Sequence, residues 1–384
     1  MLNCKKHLFN LDADVHYING AYMSPISKAV AESGAAAAIR KLRPYTIAPN
    51  EFFSDVDRLK VLFSKITHAQ ESKRVAIIPS VSYGMATVAK NVKVQKGQNI
   101  IVADAQFPSN IYTWRELAKE KDLTIKTIPY PIEIQDGRGK TWNERILDSI
   151  DNQTAIVALA HLHWANGTKF DLKRISQRAH EVGALLIVDG TQSVGAMPID
   201  VLDMGIDALI CGGYKWLMGP YTLGYAYYSE YFDNGKPIEE NWMARKNAED
   251  FRRLIDYQDE YAPLSIRYDM GEKSNFINVP MGIVALQQLL DWGIENIQNY
   301  CLNLTRDAIK QWQQHGFWVE EEAHRGGHLF GIQMPSSVSV EKLQTALNER
   351  KIHVSVRGDF VRIAPNIYND AADIKALTEV LMGL

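Results

Sequence analysis

With 384 residues, the chain is longer than the chains that usually fold around a single hydrophobic core, so its length predicts two domains. Its net charge of −3 and charged content of 23% give no attraction toward nucleic acid or an anionic membrane, and neither is expected as a partner. The three cysteines form neither a metal-ligand spacing nor a disulfide framework. The start of the chain lacks an apolar signal region, and no apolar run approaches the roughly 20 residues of a membrane span. These features predict a cytoplasmic globular protein without a bound metal.

The chain before residue 92 predicts two helices, a strand and a third helix. Residues 28–42 are rich in alanine, and the apolar residues between Leu59 and Ile66 have the spacing of an amphipathic helix. The strand Val75–Ile78 is followed by the small residues of PSVSYG and then by a helix. Because the first backbone N–H groups of a helix are free, this arrangement can bind an anion. A serine that caps the helix without any ligand is the alternative.

The middle of the chain alternates strands with helices. Asn99–Ala103 and Thr154–Ala160 predict buried strands, and residues 172–182 predict an amphipathic helix. Such alternation is typical of an α/β fold with a mainly parallel sheet that is covered on both faces. His161 and His163 follow one strand and share a face, which could form a metal pair, but the sequence offers no third ligand at a telling spacing.

Two short apolar strands are predicted at Leu185–Val188 and Ala208–Cys211, and each is followed by an ionisable side chain. The first ends on Asp189, and the second continues as Gly-Gly-Tyr-Lys to Lys215. In open α/β sheets, ligands bind at the carboxyl ends of the strands, so these two side chains are expected to face one crevice. A lysine can form a Schiff base with pyridoxal phosphate (PLP), and a carboxylate can keep the pyridinium nitrogen protonated. The pair therefore predicts a PLP site.

The segments VDGTQSVGAMPIDV and GGYKWLMGP resemble those of the class V aminotransferase family of fold-type I PLP enzymes. That family includes cysteine desulfurases, kynureninases, isopenicillin N epimerase-like proteins and several transaminases. The resemblance runs from about Tyr17 to the C-terminus. It implies a large domain with a mainly parallel, seven-stranded type of sheet, a small α+β C-terminal domain, and a homodimer with the site at its interface.

The resemblance also implies roles for single residues around the cofactor. Lys215 holds PLP covalently and then acts as a general base, while Asp189 binds the ring nitrogen. His163 stands where many relatives have Asn, and Glu272 stands where the family often has a Thr that reaches the phosphate of the partner subunit. Further cofactor contacts are expected from Val81, Ser82 and Tyr214 to the phosphate, from Ser274 to the partner's phosphate, from Phe107 by stacking on the ring, and from His163 and Gln192 to the phenolic oxygen.

The C-terminal segment VRIAPNIYN resembles the family segment whose arginine binds the substrate α-carboxylate. Arg362 is therefore expected to clamp that carboxylate through two parallel hydrogen bonds. Arg357 is a weaker candidate for the same role, and an ordinary surface arginine is the alternative reading of Arg362. Asn19 is expected to belong to the wall on the substrate side.

The last third of the chain predicts helices within residues 279–314, then strands and helices in the order of an α+β domain. We expect a large PLP-binding domain over residues 21–265. We expect residues 1–20 and 266–384 to form the small domain.

The type of reaction is the least determined feature of the sequence. The stretch 334–361 contains no cysteine, which disfavours a cysteine desulfurase, and Gln192 stands where kynureninases usually have a histidine. The prediction is an aminotransferase for an unspecified amino acid, with an epimerase or a C–S or C–C lyase as alternatives. A non-catalytic scaffold that binds PLP is a further alternative. A nucleotide-binding Rossmann protein is excluded because no G-x-G-x-x-G follows the first strand.

Overall fold

A computed structural model describes residues 2–335, 337–357 and 359–384. Its helices are α1 Lys28–Arg40, α2 Glu51–Thr67, α3 Val81–Asn91, α4 Tyr112–Lys121, α5 Arg138–Ser149, α6 Leu172–Glu181, α7 Asn278–Trp292, α8 Ile294–Gln314, α9 Val340–Glu349 and α10 Ala371–Met382. Its strands are β1 His16–Tyr17, β2 Val75–Ile78, β3 Asn99–Ala103, β4 Thr124–Ile128, β5 Thr154–Ala160, β6 Leu185–Asp189, β7 Ala208–Gly212, β8 Gly224–Tyr228, β9 Trp318–Val319, β10 Phe330–Gln333, β11 Ile352–His353, β12 Ser355–Arg357 and β13 Phe360–Ile363.

The central sheet has seven strands in the order β2-β8-β7-β6-β5-β3-β4. Only β8 runs antiparallel to its neighbours β2 and β7, so the prediction of a mainly parallel sheet is confirmed. Three of these strands and helices were not predicted from the sequence: the edge strand β4, helix α5 and the short strand β9. In β4 only Ile128 is fully buried, so this strand lacks the continuous apolar run that identifies its neighbours.

Helices cover both faces of this sheet, as expected. Consecutive strand residues alternate between two separate apolar cores, with Ile77 in the first and Ile78 in the second. This alternation follows from the two-residue period of a strand. The stretch 279–314 forms two helices, because the chain takes a left-handed conformation at Gly293, where φ is +79°.

A smaller antiparallel sheet has the order β12-β13-β10-β9. Strand β1 pairs in parallel with β11, and Asn19 forms a bridge with Ala364. Ile18 packs in the same apolar core as Trp312 and Phe330. The start of the chain is thereby bonded to its C-terminal part. The exact division at residue 265 stays a prediction.

Among the described helices, none combines the length and the apolar character that a bilayer crossing requires.

Candidate active site

A cavity of about 280 Å³ opens at the carboxyl edge of the central sheet. Its wall combines the start of α3, the loop after β3 and the ends of β5, β6 and β7. The strand ends were expected to meet in one crevice, and they do. Seven of the predicted cofactor residues line it together: Val81, Ser82, Phe107, Asp189, Gln192, Tyr214 and Lys215.

Lys215 is only 6% exposed in this cavity. Burial lowers the pKa of its amine to about 8; Asp189 opposes this shift, and the positive charge of Arg362 adds to it. The Nζ atom lies 5.4 Å from the centre of the Phe107 ring and 5.6 Å from that of Tyr214. A buried amine that loses its proton near neutral pH is suited to act as a nucleophile and as a base.

The backbone around Lys215 is held by close contacts that admit only glycine. A Cβ at Gly213 would lie 2.3 Å from the carbonyl oxygen of Leu223. The backbone N–H of Gly213 donates a hydrogen bond to the same oxygen. Gly195 has a φ of +101°, and a Cβ there would lie 2.4 Å from the carbonyl oxygen of Trp216. These contacts fix the position of the turn that presents the lysine.

Asp189 ends strand β6 with its carboxylate buried against the cavity. Burial raises its pKa, while the hydrogen bonds from Thr191 and the charge of Lys215 act in the opposite direction. The Thr191 N–H donates to Oδ1 over 2.9 Å. A buried carboxylate of this kind is stabilised by a cationic N–H group in the cavity.

The start of helix α3 offers an anion site. Ser80 caps the helix and accepts a hydrogen bond from the Tyr83 N–H over 3.2 Å. Val81 and Ser82 are the first helical residues, so their N–H groups have no partner within the helix, and both residues line the cavity. The serine cap is confirmed and leaves these N–H groups free, so it is compatible with an anion site, and the expected contacts with the phosphate stay predictions.

Gln192 lines the cavity, but its amide is bonded to the protein at both ends. Its Oε1 accepts from the indole of Trp216 over 2.9 Å, and its Nε2 donates to the carbonyl oxygen of Ala21 over 3.1 Å. Its expected contact with the phenolic oxygen of the cofactor stays a prediction.

Arg362 on β13 is only 2% exposed, and the described residues place no carboxylate within ion-pair distance of it. Its Nη1 donates to the carbonyl oxygen of Trp164 over 3.0 Å and its Nη2 to the hydroxyl of Ser355 over 3.3 Å. The Nε is buried without a partner in the described structure. Burial lowers the pKa of this guanidinium to about 10, and Arg357 contributes in the same direction. It does not line the cavity but acts on Lys215 by charge.

Asn19 contributes to this arginine rather than to the cavity wall. Its Oδ1 accepts from Ser355 over 3.0 Å and lies 3.5 Å from the Nη2 of Arg362. Asn19 is not among the residues that line the cavity, so its expected place in a substrate-side wall stays a prediction.

His163 does not reach the cavity. Its Nδ1 lies 3.0 Å from the Asn166 side-chain oxygen, and its Nε2 lies 3.1 Å from the carbonyl oxygens of Asp104 and Ala105. Protein acceptors thus surround both ring nitrogens. The neighbouring Trp164 lines the cavity instead. Alternation past the end of β5 is the signal that could have identified Trp164, since Ala160 and Leu162 line the cavity as well.

Ser274 is buried and lies outside the lining of the cavity. Its expected contact belongs to a partner subunit, so it stays a prediction. In the described part of the chain, no group of three His, Cys, Asp or Glu side chains is arranged to hold a metal ion.

Comparison with known proteins agrees with this fold. The family model for class V aminotransferases matches residues 48–377. An uncharacterized aminotransferase of Bacillus subtilis is 28% identical over 83% of this chain and 81% of its own. The isopenicillin N epimerase of Amycolatopsis lactamdurans is 23% identical over 81% of each chain. A probable cysteine desulfurase of Methanothermobacter thermautotrophicus is 32% identical, over 41% of this chain and 38% of its own.

Solved structures show the same fold at low sequence identity. The cysteine desulfurase CsdA of Escherichia coli superimposes with a TM-score of 0.81 at 19% identity, over 98% of this chain and 96% of its own. A mutant of C-DES, in which glycine is covalently linked to the PLP cofactor, gives a TM-score of 0.86 at 18% identity, over 98% of each chain. Because the family model spans most of the sequence and the fold agrees with it, the chain belongs to the class V aminotransferase family of fold-type I enzymes, and its cofactor is PLP.

Proposed function

We propose that this protein is an aminotransferase that removes the amino group of an α-amino acid. The observation that carries the proposal is that two basic groups are buried in the same region, the amine of Lys215 and the guanidinium of Arg362. Arg362 has no acidic partner among the described residues, and its charge acts on Lys215. An unpaired buried cation favours a bound anion, and every α-amino acid carries one in its carboxylate.

The donor set around the cavity fits PLP. The start of α3 supplies free N–H groups for the phosphate, and the buried carboxylate of Asp189 is suited to the ring nitrogen. Phe107 offers a flat apolar surface to the ring and is still 38% exposed in this structure. When bound, PLP supplies the electron sink that makes the Cα–H bond of an amino acid acidic.

Substrate binding and proton transfer are assigned to residues of the chain. Arg362 binds the α-carboxylate and so orients the substrate, while Asn19 and Ser355 hold the guanidinium in place. In its free form, the Nζ of Lys215 accepts the proton from Cα. A pKa of about 8 suits this role, because such an amine is partly unprotonated near neutral pH and can return the proton.

Cysteine desulfurization receives less support from these residues. None of the three cysteines lines the cavity. Cys211 and Cys301 are fully buried, and burial raises the pKa of both thiols, so neither favours the thiolate form. No cysteine is present between residues 334 and 361 either. Epimerization is the second candidate, because the isopenicillin N epimerase matches four-fifths of the chain.

Product analysis on the PLP-loaded enzyme tests the proposal. A panel of α-amino acids is incubated without an acceptor, and each substrate is followed for keto acid, enantiomer, ammonia and sulfide. Transamination predicts keto acid in an amount equal to the enzyme, and repeated turnover once an α-keto acid acceptor is added. Appearance of the enantiomer alone supports epimerization, and release of ammonia or sulfide supports a lyase or a desulfurase. Either result contradicts the aminotransferase.

A further inference from the structure

A second cavity, of about 440 Å³, lies between helix α5, the start of α6 and the segments 197–204 and 323–324. We call it the rear cavity, and its lining includes His161, Lys169, Lys140 and His324. It shares no lining residue with the active-site cavity. The reaction proposed above makes no use of it.

His161 is the buried polar group of the rear cavity. The residue is only 4% exposed, and its Nδ1 is buried without a hydrogen-bond partner in the described part of the chain. Ala160 and Leu162 line the active-site cavity, so the alternation of side chains turns His161 to the opposite side. Burial lowers the pKa of His161 to about 3, with Lys169 and His328 acting in the same direction. The imidazole is therefore neutral, and its Nδ1 is left without a hydrogen bond.

Two lysines on the same wall also lack carboxylate partners. No acid among the described residues lies within ion-pair distance of the Lys169 or the Lys140 ammonium. Burial lowers the pKa of Lys169, and the more distant Asp171 only partly opposes that shift. Burial and these two lysines lower the pKa of His324 as well. The lining of the rear cavity therefore carries more cationic side chains than carboxylates, and neither Lys169 nor Lys140 has a carboxylate in ion-pair contact within the described part of the chain.

The acidic residues of the rear cavity are engaged elsewhere. Glu144 forms an ion pair with Arg174 over 2.8 Å, and Asp203 forms one with Lys173 over 2.6 Å. Asp171 caps helix α6 and accepts from the Arg174 N–H over 3.2 Å. None of these carboxylates forms an ion pair with Lys169 or Lys140.

We propose that the rear cavity is a second ligand site that binds a small oxyanion, a carboxylate or a phosphate, through Lys169 and His161. The ammonium supplies charge and donors, and the neutral imidazole supplies a further donor. This site is independent of the reaction at Lys215, since it uses none of the same residues.

Calorimetric titration of the PLP-loaded enzyme tests the site. Inorganic phosphate and acetate are titrated separately into the wild type, Lys169→Met and Lys140→Met. Loading with PLP occupies the cofactor's own phosphate site. We expect a dissociation constant on the order of 1 mM for one of the two anions, weakened about 10-fold in Lys169→Met. Binding of phosphate alone identifies a phosphate ligand, and binding of acetate identifies a carboxylate.

The control is Lys126→Met, which removes a lysine that is paired with Asp151 and does not line the rear cavity. Its affinity for the anion is expected to equal that of the wild type. The exposed Lys140 keeps the test open if Lys169→Met fails to fold. If neither anion binds up to about 30 mM, or if both rear-cavity variants bind as well as the control, the cavity holds solvent only and the proposal is wrong. The visible spectrum of the bound cofactor is expected to stay unchanged throughout, which separates this test from that of the reaction.

Discussion

The indole Nε1 of Trp216 donates a 2.9 Å hydrogen bond to Oε1 of Gln192. This contact joins the residue after Lys215 to the segment that follows Asp189. Both side chains are buried, and Gln192 in turn donates to the carbonyl oxygen of Ala21. These hydrogen bonds connect the segments that carry Lys215 and Asp189, although the two residues lie at the ends of different strands.

Replacement of Trp216 by phenylalanine tests the role of this hydrogen bond. The change leaves Oε1 of Gln192 buried without a donor, which is expected to lower the free energy of unfolding by about 1–3 kcal/mol. The matched control is Trp114→Phe, because the Trp114 indole donates to Asn110 over 2.9 Å, and both residues are buried but outside the lining of the cavity. Both variants are expected to lose similar stability in denaturant titrations, and only Trp216→Phe is expected to bind PLP more weakly. Equal PLP affinity in the two variants would show that the bond has no part in the site.

The pKa of Lys215 predicts how cofactor uptake depends on pH. PLP reacts with the unprotonated amine, so the rate of uptake by cofactor-free enzyme is expected to rise with pH and to be half-maximal near pH 8. Arg362 lowers this pKa by its positive charge, so Arg362→Gln is expected to move the midpoint to higher pH. Stopped-flow absorbance between pH 6 and about 10 measures both midpoints. A midpoint that is the same in both proteins would contradict the coupling.

Asp269 lies between two buried ammonium groups. Its Oδ2 is 2.7 Å from the Nζ of Lys60 and 2.8 Å from that of Lys273, and its Oδ1 accepts from the Ile77 N–H. Asp269→Asn leaves two buried cations without a counter-charge, which is expected to lower the free energy of unfolding by about 3–5 kcal/mol. Lys273→Met keeps the pair of Asp269 with Lys60 and is expected to cost clearly less. Equal losses in chemical denaturation would mean that the cluster does not depend on charge balance.

Substitution of two glycines distinguishes the cost of backbone strain from the cost of a steric clash. Gly195 and Gly183 both have positive φ, but a Cβ at Gly195 meets the carbonyl oxygen of Trp216 at 2.4 Å, while one at Gly183 meets nothing within 4 Å. Gly183→Ala is therefore expected to cost about 1–2 kcal/mol from strain alone. Gly195→Ala is expected to cost more and to weaken PLP binding, because the contact holds the turn after Lys215. Thermal unfolding with and without PLP measures both effects, and a larger loss in Gly183→Ala would refute this reasoning.

In the central sheet, the strands whose bounds were predicted most accurately are those in which every residue is buried. The bounds of Val75–Ile78, Asn99–Ala103 and Thr154–Ala160 agree with the structure because each is an unbroken buried run. Strand Thr124–Ile128 at the sheet edge is half exposed and carries no such signal. The pattern of burial, rather than strand propensity, therefore decided which strands were found.

The candidate site divides in the same way. Lys215 and Asp189 could be paired from sequence because strand ends meet at one edge of the sheet. The alternation of side chains past the end of β5 favours Trp164 as a lining residue, but the hydrogen bonds that hold His163 outside the lining depend on the local backbone and could not be predicted. The hydrogen bond of Asn19 with the C-terminal Ser355, which places Asn19 beside Arg362, was not predicted either. Contacts between the two ends of the chain are not encoded in local patterns.

The most direct test of the central claim is to locate the covalent attachment of PLP. The purified enzyme is loaded with PLP, reduced with borohydride, digested and examined by mass spectrometry, with Lys215→Ala treated in parallel. We predict one modified peptide, carrying the cofactor on Lys215, and no modified peptide in the variant. Modification of another lysine in the wild type, or equal modification in Lys215→Ala, would contradict the assignment of this cavity as the active site.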